Sequence, residues 1–250
     1  MRINRKAFHD GIRSTIHKGS LSPEQVASYE AILDAAGEAG ISDSRHLAYA
    51  LATTRGEVGS GMQPVREIGR GRGKRYGLPD PVTGEVYYGR GFVQLTWADN
   101  YRNMGKRLGV DLNRNPDLAL DRKIAARILI VGMVEGIFTG KRLSDYLNDR
   151  VTDYRNARRI INLLDRADEF ARLAELYERA IREALVKEGG DADGEPAATV
   201  KIEEPDSPAV PTPAPVPREK PRLRAAKVII GAVAAALAAI FAWVFAGGQQ

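Results

Sequence analysis

The chain has 250 residues, of which 44% are hydrophobic, and a formal net charge of +5 at pH 7. That length gives one domain of ordinary size with appended segments, and the apolar content is sufficient for a buried core. It has no cysteine and three scattered histidines, His9, His17 and His46. These counts exclude disulfides, thiolate catalysis and cysteine-ligated metals. They predict no metal site and no cofactor, so acid–base chemistry must rest mainly on carboxylates.

The positive charge lies in the first 186 residues, because residues 187–250 contain seven Lys and Arg against eight Asp and Glu. A basic domain suits a polyanionic partner such as a bacterial cell wall, although an ordinary soluble basic surface explains the charge as simply. We predict no nucleic-acid partner, since no helix carries a dense Lys/Arg stripe and no zinc-finger or single-strand-binding signature is present.

Helix signals are frequent in residues 1–186, which we predict to form one globular domain. The first predicted helix has a capping hydroxyl at Ser22, a proline at its first position and a stop at Gly40. The second ends before the glycines and proline of residues 59–64. Apolar spacing and capping signals predict five helices, at Ala27–Ala39, Asp43–Glu57, Asp99–Leu108, Asp121–Glu135 and Asp165–Leu185.

The segment Tyr87–Tyr101 has the sequence YYGRGFVQLTWADNY. Its aromatic and β-branched residues favour extended structure, whereas Gly89 and Gly91 allow close approach of backbone or ligand. A purely structural hairpin seldom needs both glycines. The pattern predicts a small β element on the floor of a binding cleft, where Tyr88 and Trp97 supply stacking surface, although such aromatic residues are at least as often core.

The last part of the chain differs in character. Residues 187–224 include the run PAVPTPAPVPREKP and predict a disordered linker. Residues 225–247 predict a transmembrane helix, since Val228–Ala246 carries no charge over a length that spans a bilayer. A buried core helix is the alternative. Small residues at every fourth position, Gly231, Ala235 and Ala239, would allow a homo-oligomer through this helix.

The membrane helix predicts a single-pass protein of the bacterial inner membrane. Basic residues precede the helix and none follow it. The positive-inside rule therefore places residues 1–227 in the cytoplasm. A cell-wall function would instead require the domain in the periplasm.

Glycoside hydrolysis without a metal needs one carboxylic acid and one carboxylate, and Glu57 and Glu67 are the best candidate pair. Ten residues along one straight helix would separate them by about 15 Å, beyond the roughly 6.5–9.5 Å of an inverting pair. The glycines and proline of residues 59–64 break the helix, so that Glu67 can return on a loop across the cleft. By spacing alone, two solvated surface glutamates remain the simpler explanation.

Four ordered motifs carry a resemblance to a known family. They are YYGRGFVQLTWADNY at Tyr87–Tyr101, LGVDL at Leu108–Leu112, NPDLAL at Asn115–Leu120 and ARRIIN at Ala157–Asn162. With them, residues from about 45 to 183 resemble glycoside hydrolase family 19, which includes plant chitinases and bacterial and phage cell-wall lysins. The resemblance implies a mainly α, lysozyme-like α+β domain with a small β-hairpin, and cleavage with inversion.

The resemblance also implies roles for individual residues. Glu57, in TTRGEVGSG, takes the position of the general acid, and Glu67, in QPVRE, takes that of the general base. A set of polar residues would bind the sugar or position the attacking water: Gln94, Thr96, Asn100 and Asn162.

One position departs from the family, since the histidine that precedes the acid is Gly56 here. A glycine would loosen the helix where the geometry should be fixed, and Arg55 would favour the charged form of Glu57, against proton donation.

Three functional hypotheses stay open. The leading one is a glycosidase that cleaves β-1,4 bonds of N-acetylhexosamine polymers, with peptidoglycan favoured over chitin because the compact, cysteine-free domain resembles phage or prophage endolysins. The second is a membrane-anchored glycan-binding or scaffolding protein with a degenerate catalytic site. The third is a combined lysin and pore former, in which the C-terminal helix perturbs the membrane.

Overall fold

Helices dominate residues 1–186, the part of the chain that the computed structural model describes. The predicted linker at 187–224 and the predicted transmembrane helix at 225–247 lie outside these residues. None of the helices within residues 1–186 combines the length and apolarity needed to span a bilayer. The α-helices are α1 (Arg5–Thr15), α2 (Pro23–Glu38), α3 (Ser44–Val58), α4 (Ala98–Leu108), α5 (Arg122–Glu135), α6 (Leu143–Tyr146), α7 (Tyr154–Ala157) and α8 (Ala167–Glu183).

The five predicted helices are confirmed as α2, α3, α4, α5 and α8, with shifts of a few residues at their ends. The cap of α2 is a capping box, in which the Gln25 backbone N–H donates to Ser22 Oγ at 3.2 Å and the Ser22 N–H donates to Gln25 Oε1 at 2.6 Å. Helix α1 was not predicted. Its signals are a capping side chain at Asn4 and the fully buried pair Phe8 and Ile12, one turn apart.

Two short hairpins make up the β structure. Strand β1 (Val65–Arg66) pairs antiparallel with β2 (Arg90–Gly91), and β3 (Leu147–Asn148) pairs antiparallel with β4 (Val151–Thr152). The predicted fold class, mainly α with a small β element, is confirmed.

Within Tyr87–Tyr101, the predicted small β element is the strand Arg90–Gly91. Three residues with positive φ turn the rest of the segment: Gly91 at 82°, Gln94 at 53° and Trp97 at 77°. Helix α4 begins directly after Trp97.

The core is built around α3, which packs along α8, while α2 packs along α5. Nine of the fifteen residues of α3 are buried, so this helix is covered by neighbouring residues on more than one of its faces. Burial of one large apolar side chain stabilises a fold by about 1.5–3 kcal/mol. The largest fully buried side chains are aromatic: Tyr29, Tyr49, Tyr101, Tyr177, Phe8, Phe92 and Phe170. Packing between α3 and α8 therefore fixes the position of the C-terminal end of α3, where Glu57 lies.

A buried polar chain links α2 to α8. Tyr29 Oη lies 2.7 Å from His17 Nε2 and 2.6 Å from Tyr177 Oη. Gln25 Nε2 approaches His17 Nδ1 at 3.2 Å, which fits a neutral imidazole that accepts at Nδ1 and donates from Nε2.

The buried histidine of this hydrogen-bonded network makes the stability of the fold depend on pH. Burial lowers the pKa of His17 below its ordinary value, and the charge of Arg55 lowers it further. The unfolded chain therefore binds this proton more readily than the folded one. We expect the free energy of unfolding to fall as the pH drops below about 6.5, the ordinary pKa of histidine. The urea midpoint of unfolding is measured at pH 8.0 and at pH 5.5. The difference between the two midpoints should be smaller in His17→Gln than in the wild type, and the control His46→Gln should behave like the wild type. Equal differences in all three proteins would contradict a role of His17.

Candidate active site

Glu57 lies in the last turn of α3 and forms an ion pair with a buried arginine. Its Oε1 accepts a hydrogen bond of 2.7 Å from Arg158 Nη1, and the two side chains are 19% and 3% exposed respectively. Arg158 belongs to a 3₁₀ turn, Arg158–Ile160, that directly follows α7. No hydrogen bond to Glu57 Oε2 occurs within residues 1–186, so this oxygen is the one available to a ligand.

Arg158 is held from two further directions. Its Nε donates to the Asp165 carbonyl oxygen at 3.1 Å, and its guanidinium carbon lies 4.0 Å from the centroid of the Phe170 ring. A guanidinium fixed at its Nε, at one of its terminal nitrogens and over its face has little freedom to rotate. Glu57 is therefore oriented by a rigid cation.

Glu67 directly follows β1 and is fixed by the opposite side of the hairpin. Its backbone N–H donates to the Gly89 carbonyl oxygen at 2.8 Å, and the Gly89 N–H donates to Glu67 Oε2 at 3.0 Å. The other oxygen, Oε1, accepts from the Tyr76 hydroxyl at 2.8 Å. Each carboxylate oxygen keeps a second lone pair. Glu67 is thus positioned by two donors and can still accept a proton from water.

The two glycines predicted to allow close approach do so. A Cβ at Gly89 would lie 2.9 Å from Gln94 Oε1 and 3.4 Å from the Cβ of Glu67. Gly91 has a φ of +82°, and a Cβ there would lie 2.6 Å from the Ala119 carbonyl oxygen. Backbone and side chains of the site itself fill the space that a side chain would need.

Tyr76 joins Glu67 to an exposed aromatic side chain. Burial, together with the hydrogen bond to Glu67, raises the pKa of Tyr76 to about 12, so the phenol stays a donor at neutral pH. Its ring meets that of Trp97 edge-on, with centroids 5.2 Å apart, and Trp97 is 43% exposed. The predicted stacking residue Trp97 therefore lies beside the hydrogen-bond partner of Glu67.

Three of the predicted polar residues form one hydrogen-bonded loop. Gln94 Nε2 donates to the carbonyl oxygens of Val65 and Gly91 at 3.1 and 3.2 Å. Thr96 Oγ1 donates to the Gln94 carbonyl oxygen, and Asn100 Nδ2 donates to that of Thr96, both at 2.8 Å. Both N–H groups of the Gln94 amide and the Thr96 hydroxyl proton are used in these bonds, while Asn100 keeps one N–H. The amide oxygens and the Thr96 hydroxyl lone pairs remain able to accept from a sugar or a water.

Tyr88 is placed differently from Trp97. It is 7% exposed, and the guanidinium carbon of Arg90 lies 3.6 Å from its ring centroid. Its carbonyl oxygen accepts from the Tyr101 hydroxyl at 2.8 Å. The structure thus packs Tyr88 against Arg90, away from solvent.

Asn162 lies on the Glu57 side of the site. Its backbone N–H donates to the Arg158 carbonyl oxygen at 3.0 Å, and its Oδ1 accepts from the Leu163 N–H at 2.9 Å. The candidate residues therefore form two groups, one around Glu57, Arg158 and Asn162 and one around Glu67. Within residues 1–186, no direct hydrogen bond joins Glu57 to Glu67.

Gly56 is a packing glycine. A Cβ at this position would lie 2.5 Å from Phe170 Cε1 and 3.0 Å from Phe170 Cε2. The Gly56 carbonyl oxygen also accepts from Arg166 Nη1 at 3.1 Å. The interpretation that Gly56 loosens the helix is therefore corrected, since the ring of Phe170 occupies the space of a side chain and fixes this turn of α3.

Arg55 lies two residues before Glu57, and residues two apart on a helix do not face each other. The charge of Arg55 acts on His17, Tyr29, Tyr177 and Glu169. The cation beside Glu57 is Arg158, 101 residues further along the chain.

Sequence reasoning missed Arg158 and Tyr76. Arg158 lies inside the ARRIIN motif that was recognised at Ala157–Asn162, so the motif pointed to the segment but not to the side chain. Tyr76 follows a run of cations, and no local pattern connects it to Glu67.

Comparison with known proteins supports a chitinase-type domain. Residues 73–163 match the family model of glycoside hydrolase family 19, described as chitinase class I. The match begins after Glu67, so it covers the Tyr87–Tyr101 segment and Arg158 but neither candidate glutamate.

Curated relatives match over short regions. An inactive chitinase-like protein 1 of Hevea brasiliensis is 52% identical over 60 residues, 22% of this chain and 19% of that protein. An endochitinase of Arabidopsis thaliana is 36% identical over 117 residues, 45% of this chain and 41% of that protein. The matched regions thus span less than half the length of these relatives.

Among solved structures, chitinase C from Streptomyces griseus is 20% identical, with a TM-score of 0.47 over 70% of this chain and 92% of that chain. By the family-model match over residues 73–163, the chain contains a region similar to the class I chitinases of glycoside hydrolase family 19.

Proposed function

We propose that this chain is a cell-wall glycan hydrolase that cleaves β-1,4 bonds of N-acetylhexosamine polymers, with peptidoglycan as substrate and inversion at the anomeric carbon. One observation carries the proposal. The Glu67 carboxylate is held by the Gly89 N–H and the Tyr76 hydroxyl at the edge of the segment that matches the chitinase family, beside the exposed Trp97.

In this proposal Glu57 is the general acid. For this role Glu57 must react as the neutral carboxylic acid: Oε1 stays with Arg158, and a proton carried on Oε2 passes to the leaving oxygen. Arg158 fixes the rotamer of the acid and takes no proton itself, because a guanidinium stays protonated in proteins.

Glu67 is the general base. It removes a proton from a water that attacks the anomeric carbon from the face opposite the leaving group. Thr96 accepts a hydrogen bond from that water, and the oxygens of Gln94 and Asn100 accept from sugar hydroxyl or amide groups. Trp97 offers an apolar face to a sugar ring.

The net positive charge of the first 186 residues favours peptidoglycan over neutral chitin. We further propose that residues 225–247 anchor the protein in the inner membrane. The flanking charges favour a cytoplasmic domain, whereas the proposed activity requires the domain in the periplasm.

A second candidate is a glycan-binding protein that has lost turnover. The observation that favours it is Gly56, where the family has histidine, together with relatives that are named inactive chitinase-like proteins.

Product analysis distinguishes these functions. The full-length protein, purified in detergent, is incubated with peptidoglycan sacculi and with chitin oligomers, and the anomeric configuration of the first products is measured by NMR. We expect soluble muropeptide-bearing fragments whose new reducing end is initially the α-anomer. Initial β-anomer would overturn the inverting mechanism, and retained glycan binding without any product would favour the binding protein.

A further inference from the structure

A strongly basic loop borders the candidate active site. Residues 68–78, the basic loop, carry four cations and no acid: Arg70, Arg72, Lys74 and Arg75. All four side chains are exposed. None of them takes part in an ion pair with any residue of 1–186, whereas 12 of the other 21 arginines of these residues do.

The basic loop has a defined shape. Successive turns close it through hydrogen bonds from the Arg72 N–H to the Gly69 carbonyl oxygen at 3.0 Å and from the Lys74 N–H to that of Gly71 at 2.9 Å. A Cβ at Gly71 would lie 2.7 Å from the Cα of Gly77, so the two ends of this stretch touch. The four cations are therefore presented together on a tight series of turns.

The loop is tied to the site at both ends. The Arg70 N–H donates to the Glu67 carbonyl oxygen at 3.1 Å. At the other end, Tyr76 donates to the Glu67 carboxylate and packs on Trp97. The basic loop is therefore joined to Glu67 at Arg70 and at Tyr76.

We propose that the basic loop binds negatively charged groups borne by the substrate, so that the protein selects an anionic N-acetylhexosamine glycan over a neutral one. The ligand chemistry is a carboxylate or phosphate group repeated along the glycan. Exposed charge pairs contribute modestly one by one, but four of them on one short loop act together on a polyanion. This inference rests on the proposed substrate class and extends it to a specificity surface.

The first and last residues of the loop are exposed and apolar, with Ile68 84% and Leu78 66% exposed. Cations between apolar residues also suit an anionic membrane surface. The hydrogen bond from Tyr76 to Glu67 favours the glycan, because it places the loop against the candidate catalytic base.

The test measures binding without turnover. Full-length Glu57→Gln protein in detergent is compared with the same protein carrying Arg70→Gln, Arg72→Gln, Lys74→Gln and Arg75→Gln. The matched control replaces four exposed cations on other elements by Gln, namely Lys106, Lys123, Lys141 and Arg150. Loss of four exposed cations predicts about a tenfold loss of affinity for peptidoglycan sacculi at low salt. The loss should shrink in 0.5 M NaCl.

Three further ligands assign the chemistry. Sacculi stripped of phosphodiester-linked polymers retain the peptide carboxylates. A loss of affinity that persists on stripped sacculi identifies carboxylates as the ligand, whereas a loss of affinity confined to untreated sacculi identifies phosphates. Both outcomes support the proposal. Binding to chitin oligomers should be unchanged. An equal loss on chitin, an equal loss in the control variant, or a loss seen only on phosphatidylglycerol vesicles would overturn it. Since binding is measured in an inactive background, absence of hydrolysis would refute the proposed function while leaving this result interpretable.

Discussion

Replacement of Glu57 by Gln is expected to lower the rate of peptidoglycan cleavage at least about 100-fold, because a general acid contributes roughly 10²–10⁴ to such a reaction. The substitution keeps the shape of the side chain and its acceptor oxygen for Arg158 but removes the proton that must reach the leaving oxygen. Turbidity loss of sacculi and the release of reducing ends measure the rate. A fully active Glu57→Gln protein would exclude Glu57 as the acid.

The ion pair with Arg158 has a second consequence for this variant. Arg158 is 3% exposed and keeps its charge, so loss of the Glu57 carboxylate weakens its hydrogen bonding. Hydrogen bonds to charged groups stabilise a fold by about 1.5–3 kcal/mol, and we expect Glu57→Gln to lose stability within that range. Activity must therefore be compared at a temperature where circular dichroism shows the variant folded.

Two other variants separate catalysis from stability. Glu67→Gln should lose activity to a similar extent with a smaller loss of stability, because its partners are the neutral Tyr76 hydroxyl and the Gly89 N–H. Glu135→Gln breaks an ion pair with Arg107 between α5 and α4 and should keep full activity. Equal activity losses in all three would show that stability, and not chemistry, explains the effect.

Replacement of Gly56 by His, the residue of the related family, is expected to destabilise the protein strongly, and Gly56→Ala to destabilise it measurably. Overpacking a filled core typically costs about 1–3 kcal/mol, while Ala in place of Gly inside a helix gains only about 1 kcal/mol. At Gly56 the ring of Phe170 stands where the new Cβ must go. The urea midpoint of unfolding measures the change.

A double-mutant cycle tests the cause. In a Phe170→Ala background, itself expected to lose about 3–5 kcal/mol, Gly56→Ala should become neutral or stabilising, because the obstructing ring is gone. Gly37 is the matched control, since it also lies in a helix, α2, and an added Cβ would meet nothing within 4 Å. Gly37→Ala should gain stability. If Gly56→Ala were as stabilising as Gly37→Ala, the contact with Phe170 would not be the reason for this glycine.

Helix positions in this protein follow from local signals in the sequence. The box at Ser22 and Gln25 and the apolar spacing of the later segments predict α2, α3, α4, α5 and α8, because capping and periodicity act within a few residues of each other. The Tyr87–Tyr101 motif likewise marks the segment that matches the chitinase family. The turns within this segment were not predicted, since the positive φ at Gln94 and Trp97 has no local signature.

The partners of the two glutamates were decided by tertiary structure alone. Arg158 reaches Glu57 across 101 residues of sequence, and Tyr76 reaches Glu67 only because the basic loop folds back on itself. From the sequence by itself, Gly56 was expected to loosen the helix. The packing of α8 on α3 shows that the ring of Phe170 occupies the space that a side chain at Gly56 would need. Local composition determined which segments form helices and which segment belongs to the site, because those preferences depend on neighbouring residues. The identity of each contact depended on how distant helices pack, a property that no single segment contains.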